Sequence, residues 1–305
     1  MGVPGNANAL LLASAAGGGA YQITRSLRFN SGDSAYLNRT PASAGNRKTW
    51  TWAGWVKRSG LGSYQKLFST WAANTTTQSL TIDFLIDDTL NVTVPGVYWR
   101  RTSQVFRDAS AWYHIAVAVD TTLSTANDRV KIFVNGSQVT QFSITNNPGQ
   151  NDDTGVNQTA IHAIAAQIYS GSYNDFFSGY LADVHFIDGQ ALTPSSFTET
   201  DATTGQLIPK AYTGSYGTNG FQLKFADNSS NTATTLGKDT SGNGNNFTPS
   251  NLSVTAGAGN DSLVDVPVNG AQTDTGAGNE VRGNYCTWNA LDKEPSGTLS
   301  NGNLE

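Results

Sequence analysis

The segment from Trp112 to Phe142 constrains this chain more than any other, because its first strand is apolar on both faces. Tyr113, Ile115, Val117 and Val119 alternate with Trp112, His114, Ala116 and Ala118, the period of two that an extended strand requires. A strand covered on both sides belongs inside a two-layer β structure. Val130, Ile132 and Val134 continue the pattern on an expected antiparallel neighbour, and Asn135-Gly136 follows. That dipeptide accepts positive φ at both central positions of a tight hairpin, the strongest short-range hairpin signal in the chain.

The rest of the composition fits such a structure. Only 13% of the 305 residues are charged, and Gly, Asn, Ser and Thr are abundant, which suits short strands joined by loops and argues against helical bundles and disordered chains. A net charge of −5 provides no basic field for nucleic acid or anionic lipid, so neither partner is expected. The single cysteine, Cys286, cannot form an intramolecular disulfide, which fits synthesis in a reducing cytoplasm. Leu10 to Ala16 has the apolar character of a signal-peptide core but no Lys or Arg before it, the first being Arg25; secretion is therefore not expected. No apolar run approaches the roughly 20 residues that span a bilayer.

Residues 1–20 are uncharged and rich in Ala, Gly and Leu. They read either as a flexible terminus or as an attachment arm that orders when Leu10, Leu11 and Leu12 dock on a partner. Strand patterning starts at Ser26 to Asn30. Trp50, Trp52 and Trp55 give Thr49 to Lys57 the aromatic density of a strand buried between two sheets. Leu80, Ile82, Phe84 and Ile86 alternate with Thr81, Asp83 and Asp87 as a half-buried strand, with Asp83 toward solvent. Ile161 to Ile168 reads as a strand or a short helix. Phe176 to Ile187 is expected to present Tyr180, Ala182, Val184 and Phe186 on one face and Leu181, Asp183 and His185 on the other. Thr193 is expected to cap a single helical turn opened by Pro194. Beyond about residue 255 the pattern fades into Gly, Asp, Asn and Thr, as in an extended tail or linker.

Four stretches taken together resemble a known family. Ser26-Leu27-Arg28-Phe29-Asn30, the Trp-rich strand ending Ala53-Gly54-Trp55-Val56-Lys57, Trp112 to Val117 with Val130 to Gly136, and Gly179-Tyr180-Leu181-Ala182-Asp183-Val184 look like the laminin-G-like, concanavalin A-like jelly roll. The resemblance implies an all-β sandwich of two antiparallel sheets over residues 21–250, preceded by the arm of residues 1–20 and followed by the tail of residues 251–305. The whole chain, with its Ala-Leu-Leu-Leu start and its tail from Val281 to Thr287, also resembles virion-associated proteins of marine tailed phages, often tail-fibre components. That second resemblance implies a location in a virion, other virion proteins as partners, and a homotrimer.

Jelly rolls of this kind include glycan binders and glucan hydrolases. Hydrolysis needs two carboxylates flanking the glycosidic bond, and the glucanase branch carries an alternating Glu-Asp-Glu triplet on one strand. Here the four Glu residues are Glu199, Glu280, Glu294 and Glu305, none in an expected core strand, so no enzyme is expected. His114, His162 and His185 stand singly in strand patterns and read as packed core histidines rather than zinc ligands. The resemblance offers calcium as a cofactor, with Asp183 at the family's acidic position and the Asp239, Asn243 and Asn245 loop beside it. A Gly/Asn-rich turn without an ion is the competing reading. Glycan binding would use aromatic rings in or beside loops, for which the candidates are Tyr64, Trp71, Tyr98, Trp99, Tyr169 and Tyr173.

The resulting expectation is a non-enzymatic virion protein, a tail-fibre or spike component whose lectin-like module holds host-surface polysaccharide. A purely structural adaptor or capsid-decorating protein is the alternative, and a depolymerase the third reading.

Overall fold

In the computed structural model, residues 21–268, 282–288, 297–299 and 302–303 are described; the expected arm with Leu10, Leu11 and Leu12 lies outside them. The described residues form twenty strands. The first seven are β1 (Ser26–Phe29), β2 (Tyr36–Arg39), β3 (Thr49–Arg58), β4 (Gln65–Trp71), β5 (Ser79–Phe84), β6 (Thr89–Val94) and β7 (Val97–Val105). Next come β8 (Trp112–Asp120), β9 (Val130–Val134), β10 (Ser137–Gln138), β11 (Phe142–Thr145), β12 (Ile161–Ile164), β13 (Gln167–Tyr169) and β14 (Ser172–Asn174). The last are β15 (Gly179–Asp188), β16 (Thr198–Thr200), β17 (Leu207–Pro209), β18 (Phe221–Leu223), β19 (Thr248–Ser250) and β20 (Ser262–Leu263). Three single turns of 3-10 helix complete the described set, and none of its helices is long and apolar enough to cross a membrane.

Two eight-stranded antiparallel sheets make the expected jelly-roll sandwich. The first runs β10-β9-β8-β3-β15-β1-β20, with β18 added beside β15, and the second runs β11-β7-β6-β5-β4-β12-β2-β19. Trp50, Trp52 and Val56 of β3, Ile115, Val117 and Val119 of β8, and Leu181, Val184 and Phe186 of β15 face Phe68, Ile82, Phe84, Leu90 and Val92 of the second sheet in one core. The other face of β8 is also covered, as the two-sided pattern requires: Ala116 and Ala118 pack with Ala53, Ile187, Phe197 and Tyr216, while Trp112 packs with Trp55, Tyr180 and Val266. The β9–β10 hairpin turns at Asn135 (φ 48°) and Gly136 (φ 81°), the pair of positive dihedrals that Asn-Gly supplies.

Several expectations need correction. The face assignment of β15 breaks at a bulge between Ala182 and His185, where Asp183 is the extra residue and adopts φ 47°. An inserted residue reverses the alternation, so Leu181 joins Val184 and Phe186 inside, whereas Tyr180, Ala182 and His185 pack on the outer side. Asp83 is buried rather than solvent-facing, because Lys66 opposite it on β4 pairs with it at 2.9 Å. Ile86 lies beyond the end of β5 and is exposed. Residues 161–164 are strand, and Ala165 then turns with φ 66°. The turn at Pro194 forms, but the Thr193 side chain makes no capping bond to it. The sandwich also continues past residue 250, since β20 pairs with β1 and Asp265 is buried; short runs of Asp, Ser and Val gave too little periodicity to show this.

Candidate functional site

A cleft of about 280 Å³ opens on the outer face of the second sheet. Its position follows from strand alternation. Ile82 and Val92 are paired and buried in the core, so the neighbouring pairs Thr81–Thr93 and Asp83–Asn91 lie on the opposite side. Ser69–Thr81 and Trp71–Ser79 extend that surface to β4. The β13–β14 hairpin, turning at Ser170 (φ 49°) and Gly171 (φ 81°), brings Tyr169 beside the end of β4. Trp71 and Tyr169 then meet with ring centroids 4.4 Å apart and planes tilted by 51°. The β6–β7 turn at Pro95 and Gly96 lines the cleft as well, together with Asn74 and Gln167.

Polar groups suitable for hydroxyl recognition lie between these walls. Asn74, Gln167 and Thr93 line the cleft, whereas Thr70, paired with the core residue Leu80, turns to the inner side of the sheet. Thr81 Oγ1 donates to Asp83 Oδ1 at 3.0 Å. Lys66 Nζ donates to Asp83 Oδ2 at 2.9 Å, lies 3.6 Å from Asp175 Oδ2, and sits 5.4 Å from the centroid of the exposed Tyr64 ring. Cationic charge at the cleft is thus neutralised from within the chain. Among the described residues lining it there is no Asp or Glu.

The six candidate aromatics are not one group. Trp71 and Tyr169 share the cleft, and Tyr64 reaches its edge through Lys66. Tyr173 stacks on Tyr36 at 4.1 Å, and its hydroxyl accepts from Asn38 Nδ2 at 2.7 Å. Tyr98 is half-buried on β7. Trp99 must be withdrawn as a sugar-stacking residue: it is 4% exposed and belongs to the core, because β7 runs on through it rather than ending in a loop. Sequence reasoning missed Thr93, Asn74 and Gln167, for which single polar residues in a chain rich in Thr and Asn gave no signal.

The acidic candidates form a separate buried network under the first sheet's outer layer. Asp183 Oδ1 accepts from Tyr21 and Gln222, each at 2.8 Å, and Asp183 Oδ2 lies 3.1 Å from His185 Nε2. The other His185 ring nitrogen lies 3.0 Å from the Tyr216 hydroxyl. Burial alone would raise the Asp183 carboxyl, but His185 and the Gln222 and Tyr21 bonds outweigh it and hold the group below the usual range. Burial, reinforced by the Asp183 charge, pushes the Tyr21 phenol far up.

Asp239 is tied to the same network through Gln222. Its oxygens accept from the backbone N–H groups of Gln222, Ser241 and Asn245 and from the Ser241 hydroxyl, at 2.8 to 2.9 Å. Asn243 and Asn245 donate through Nδ2 to carbonyls of Gly217, Thr218 and Gly220, and Asn245 Oδ1 accepts from Arg39. As they stand, the carboxylate oxygens face N–H and O–H donors rather than an open space for an ion. Among the described residues, no three His, Cys, Asp or Glu side chains are grouped to hold a metal.

A family model described as the concanavalin A-like lectin/glucanases superfamily matches residues 29–197, more than half of the chain. The chain belongs to that superfamily. No curated protein matches the sequence. Among solved structures, a Bacteroides ovatus protein with a provisional carbohydrate-binding assignment superposes with TM-score 0.48 at 14% identity, over 75% of this chain and 58% of its own length. A heptameric pentraxin from Limulus polyphemus gives 0.41 at 18% identity, over 57% and 80% of the two chains. The CBM40 of a Ruminococcus gnavus sialidase, bound to α2,3-sialyllactose, gives 0.34 at 14% identity, over 48% and 87%. With TM-scores below 0.5, what these structures bind remains a property of those proteins.

Proposed function

We propose that this chain is a non-enzymatic carbohydrate-binding jelly roll. The observation that carries the reading is the cleft in which Trp71 and Tyr169 form an angled aromatic wall beside the amide side chains of Asn74 and Gln167. Aromatic faces pack against the C–H surface of a sugar ring, while hydroxyls and amides bond its rim. At about 280 Å³ the cleft suits the end of a glycan chain better than a long stretch of one. The lack of Asp or Glu among the described lining residues favours binding over hydrolysis, which needs a general acid and a second carboxylate.

The sequence resemblance to tailed-phage virion proteins supports a setting for this activity. In that setting the module is part of a tail fibre or spike, assembled as a homotrimer with other virion proteins and holding host-surface polysaccharide. Calcium is not needed at the cleft in this reading, and ion uptake at the Asp239 to Asn245 loop would act on that loop.

The test is equilibrium binding of the purified chain to host-envelope polysaccharides and a neutral-glycan panel. Trp71→Ala and Tyr169→Ala should each weaken binding by about tenfold or more, the equivalent of at least about 1.4 kcal/mol, without lowering the denaturation midpoint by a comparable amount. A chelator should leave affinity unchanged. Absence of saturable binding across the panel, or unaltered affinity in both variants, would overturn the assignment.

A further inference from the structure

On the outer side of β3, Lys57 is fully buried and meets three groups from the chain's last part. Its Nζ donates to Asp265 Oδ2 at 2.9 Å, to Asn284 Oδ1 at 3.0 Å and to the Tyr285 carbonyl. Trp112 Nε1 and the Tyr285 N–H donate to the other oxygen of Asp265, at 3.1 and 3.2 Å, and fix its orientation. Trp55, Trp112, Tyr180, Ile23 and Val266 cluster on this side of the sheet. The Tyr180 ring centroid lies 5.6 Å from the amine. In so dry a setting an ion pair gives up much of its hydration, and burial pushes the Asp265 carboxyl up despite Lys57 beside it. A proton passed from the ammonium to Asp265 would leave a neutral amine next to a carboxamide whose carbon is one bond, about 1.2 Å, from the contacted oxygen.

We propose that the folded chain joins Lys57 Nζ to Asn284 Cγ in an intramolecular amide, with Asp265 as the proton carrier. Asp265 Oδ2 takes a proton from the ammonium, and the freed lone pair forms the N–C bond while the carbonyl π electrons move to Oδ1. Asp265 protonates that oxygen, then receives the remaining excess proton from the attacking nitrogen. When the carbonyl re-forms, the bond from Cγ to Nδ2 breaks and ammonia leaves, taking up a proton to become ammonium. Lysine ammonium and asparagine carboxamide thus become one secondary amide and one ammonium ion, with no oxidant or cofactor. The leaving nitrogen points to the Ser110 carbonyl at 3.2 Å on an exposed residue, so ammonia has a route to water. The amine lies 3.0 Å from Oδ1, so it must slide from the oxygen onto the carboxamide face to reach the approach of about 3–3.5 Å to Cγ at which such reactions become effectively unimolecular.

The proposal is independent of sugar binding and is tested by mass spectrometry of the full chain. The folded protein should be lighter than its sequence by one ammonia, and digestion should release a branched peptide joining the segments that contain Lys57 and Asn284. Lys57→Arg, which keeps the charge, and Asn284→Ala should restore the full mass and abolish the branched peptide. Asp265→Asn should slow or stop bond formation. A chain of unreduced mass overturns the proposal. A one-ammonia loss that persists in Lys57→Arg and gives no branched peptide also overturns it, since a backbone succinimide at an asparagine would account for that result.

Discussion

Replacing Asp88 by Asn isolates the ion pair that staples the two sheets at one rim. Arg58 ends β3 in the first sheet, and its guanidinium, wholly buried, reaches across to Asp88 in the β5–β6 turn at 3.0 Å and to the Phe106 carbonyl at 2.6 Å. It also lies 4.2 Å from the centroid of the Phe84 ring. Asp88 accepts further from the Gly62 N–H at 2.9 Å and from Arg107 Nε at 2.8 Å. Its backbone has φ 65°, which Asn tolerates, so the substitution leaves the turn intact while removing the charge and one of the two acceptor oxygens. Breaking a buried pair by neutralising one partner costs about 3–5 kcal/mol; the remaining amide oxygen can still accept, which places the loss near about 3 kcal/mol. At about 2 °C per kcal/mol for a large domain, the melting temperature should fall by about 6 °C. Denaturant unfolding followed by tryptophan fluorescence should show a lower midpoint at unchanged slope. Burial would raise the Asp88 carboxyl, but the Gly62 N–H, Arg107 and Arg58 more than offset this and depress it. A depressed folded value means stabilisation present above the unfolded pKa of about 3.9 and lost as pH falls through the folded one, so the gap between wild type and variant should close below about pH 4. A loss under about 1 kcal/mol at neutral pH, or a gap that persists in acid, would refute the assignment of this pair as the rim staple.

Two further outcomes are expected. His114 and His162 are buried, and burial drives their pKa values down to about 3 and about 4; His162 Nε2 accepts from the Asn157 N–H at 3.0 Å, which leaves Nδ1 to donate to the Ala160 carbonyl at 2.8 Å. The unfolded chain takes up protons near pH 6.5 while the folded chain does not, so stability should drop from about pH 6.5 to about pH 4, by up to about 1.4 kcal/mol per histidine per pH unit; midpoints measured across that range, and flat in wild type, would contradict it. Gly179→Ala should cost several kcal/mol or prevent folding, because an added Cβ would come within 2.3 Å of the Lys57 carbonyl at φ 153°; a near-native midpoint for this variant would show that β3 and β15 can separate there.

The sandwich was legible wherever apolar residues kept strict alternation, as in β3, β8 and β9, and wherever a turn had its own chemistry, as at Asn135-Gly136. It was less legible where charge goes inside. Asp83 read as a solvent-side residue and Lys57 as the end of a strand, yet each is buried against an opposite charge, Lys66 on the adjacent strand and Asp265 far along the chain. Asp183 defeated the period itself, since one bulged residue exchanges the two faces of β15. The cleft was half legible: Trp71 and Tyr169 stood among the candidate aromatics, but only the β13–β14 hairpin shows that they are neighbours. The polar floor beside them became visible only once register placed Thr81 opposite Thr93 on the outer side of the sheet.

The antiparallel pairing of β1 with β20 also sets how the domain carries mechanical load. Ser26 lies opposite Leu263, so the chain enters and leaves the first sheet at the same end, and tension on the two flanks would peel that short ladder rather than shear it. Just outside each exit, however, the chain is moored to a central strand: Tyr21 to Asp183 on β15, and Asp265 to Lys57 on β3. Force arriving from either side is handed to the long β3–β15 ladder before it reaches β1. The second sheet, with its cleft, stays outside the path, so tension on the flanks would leave the cleft's shape unchanged.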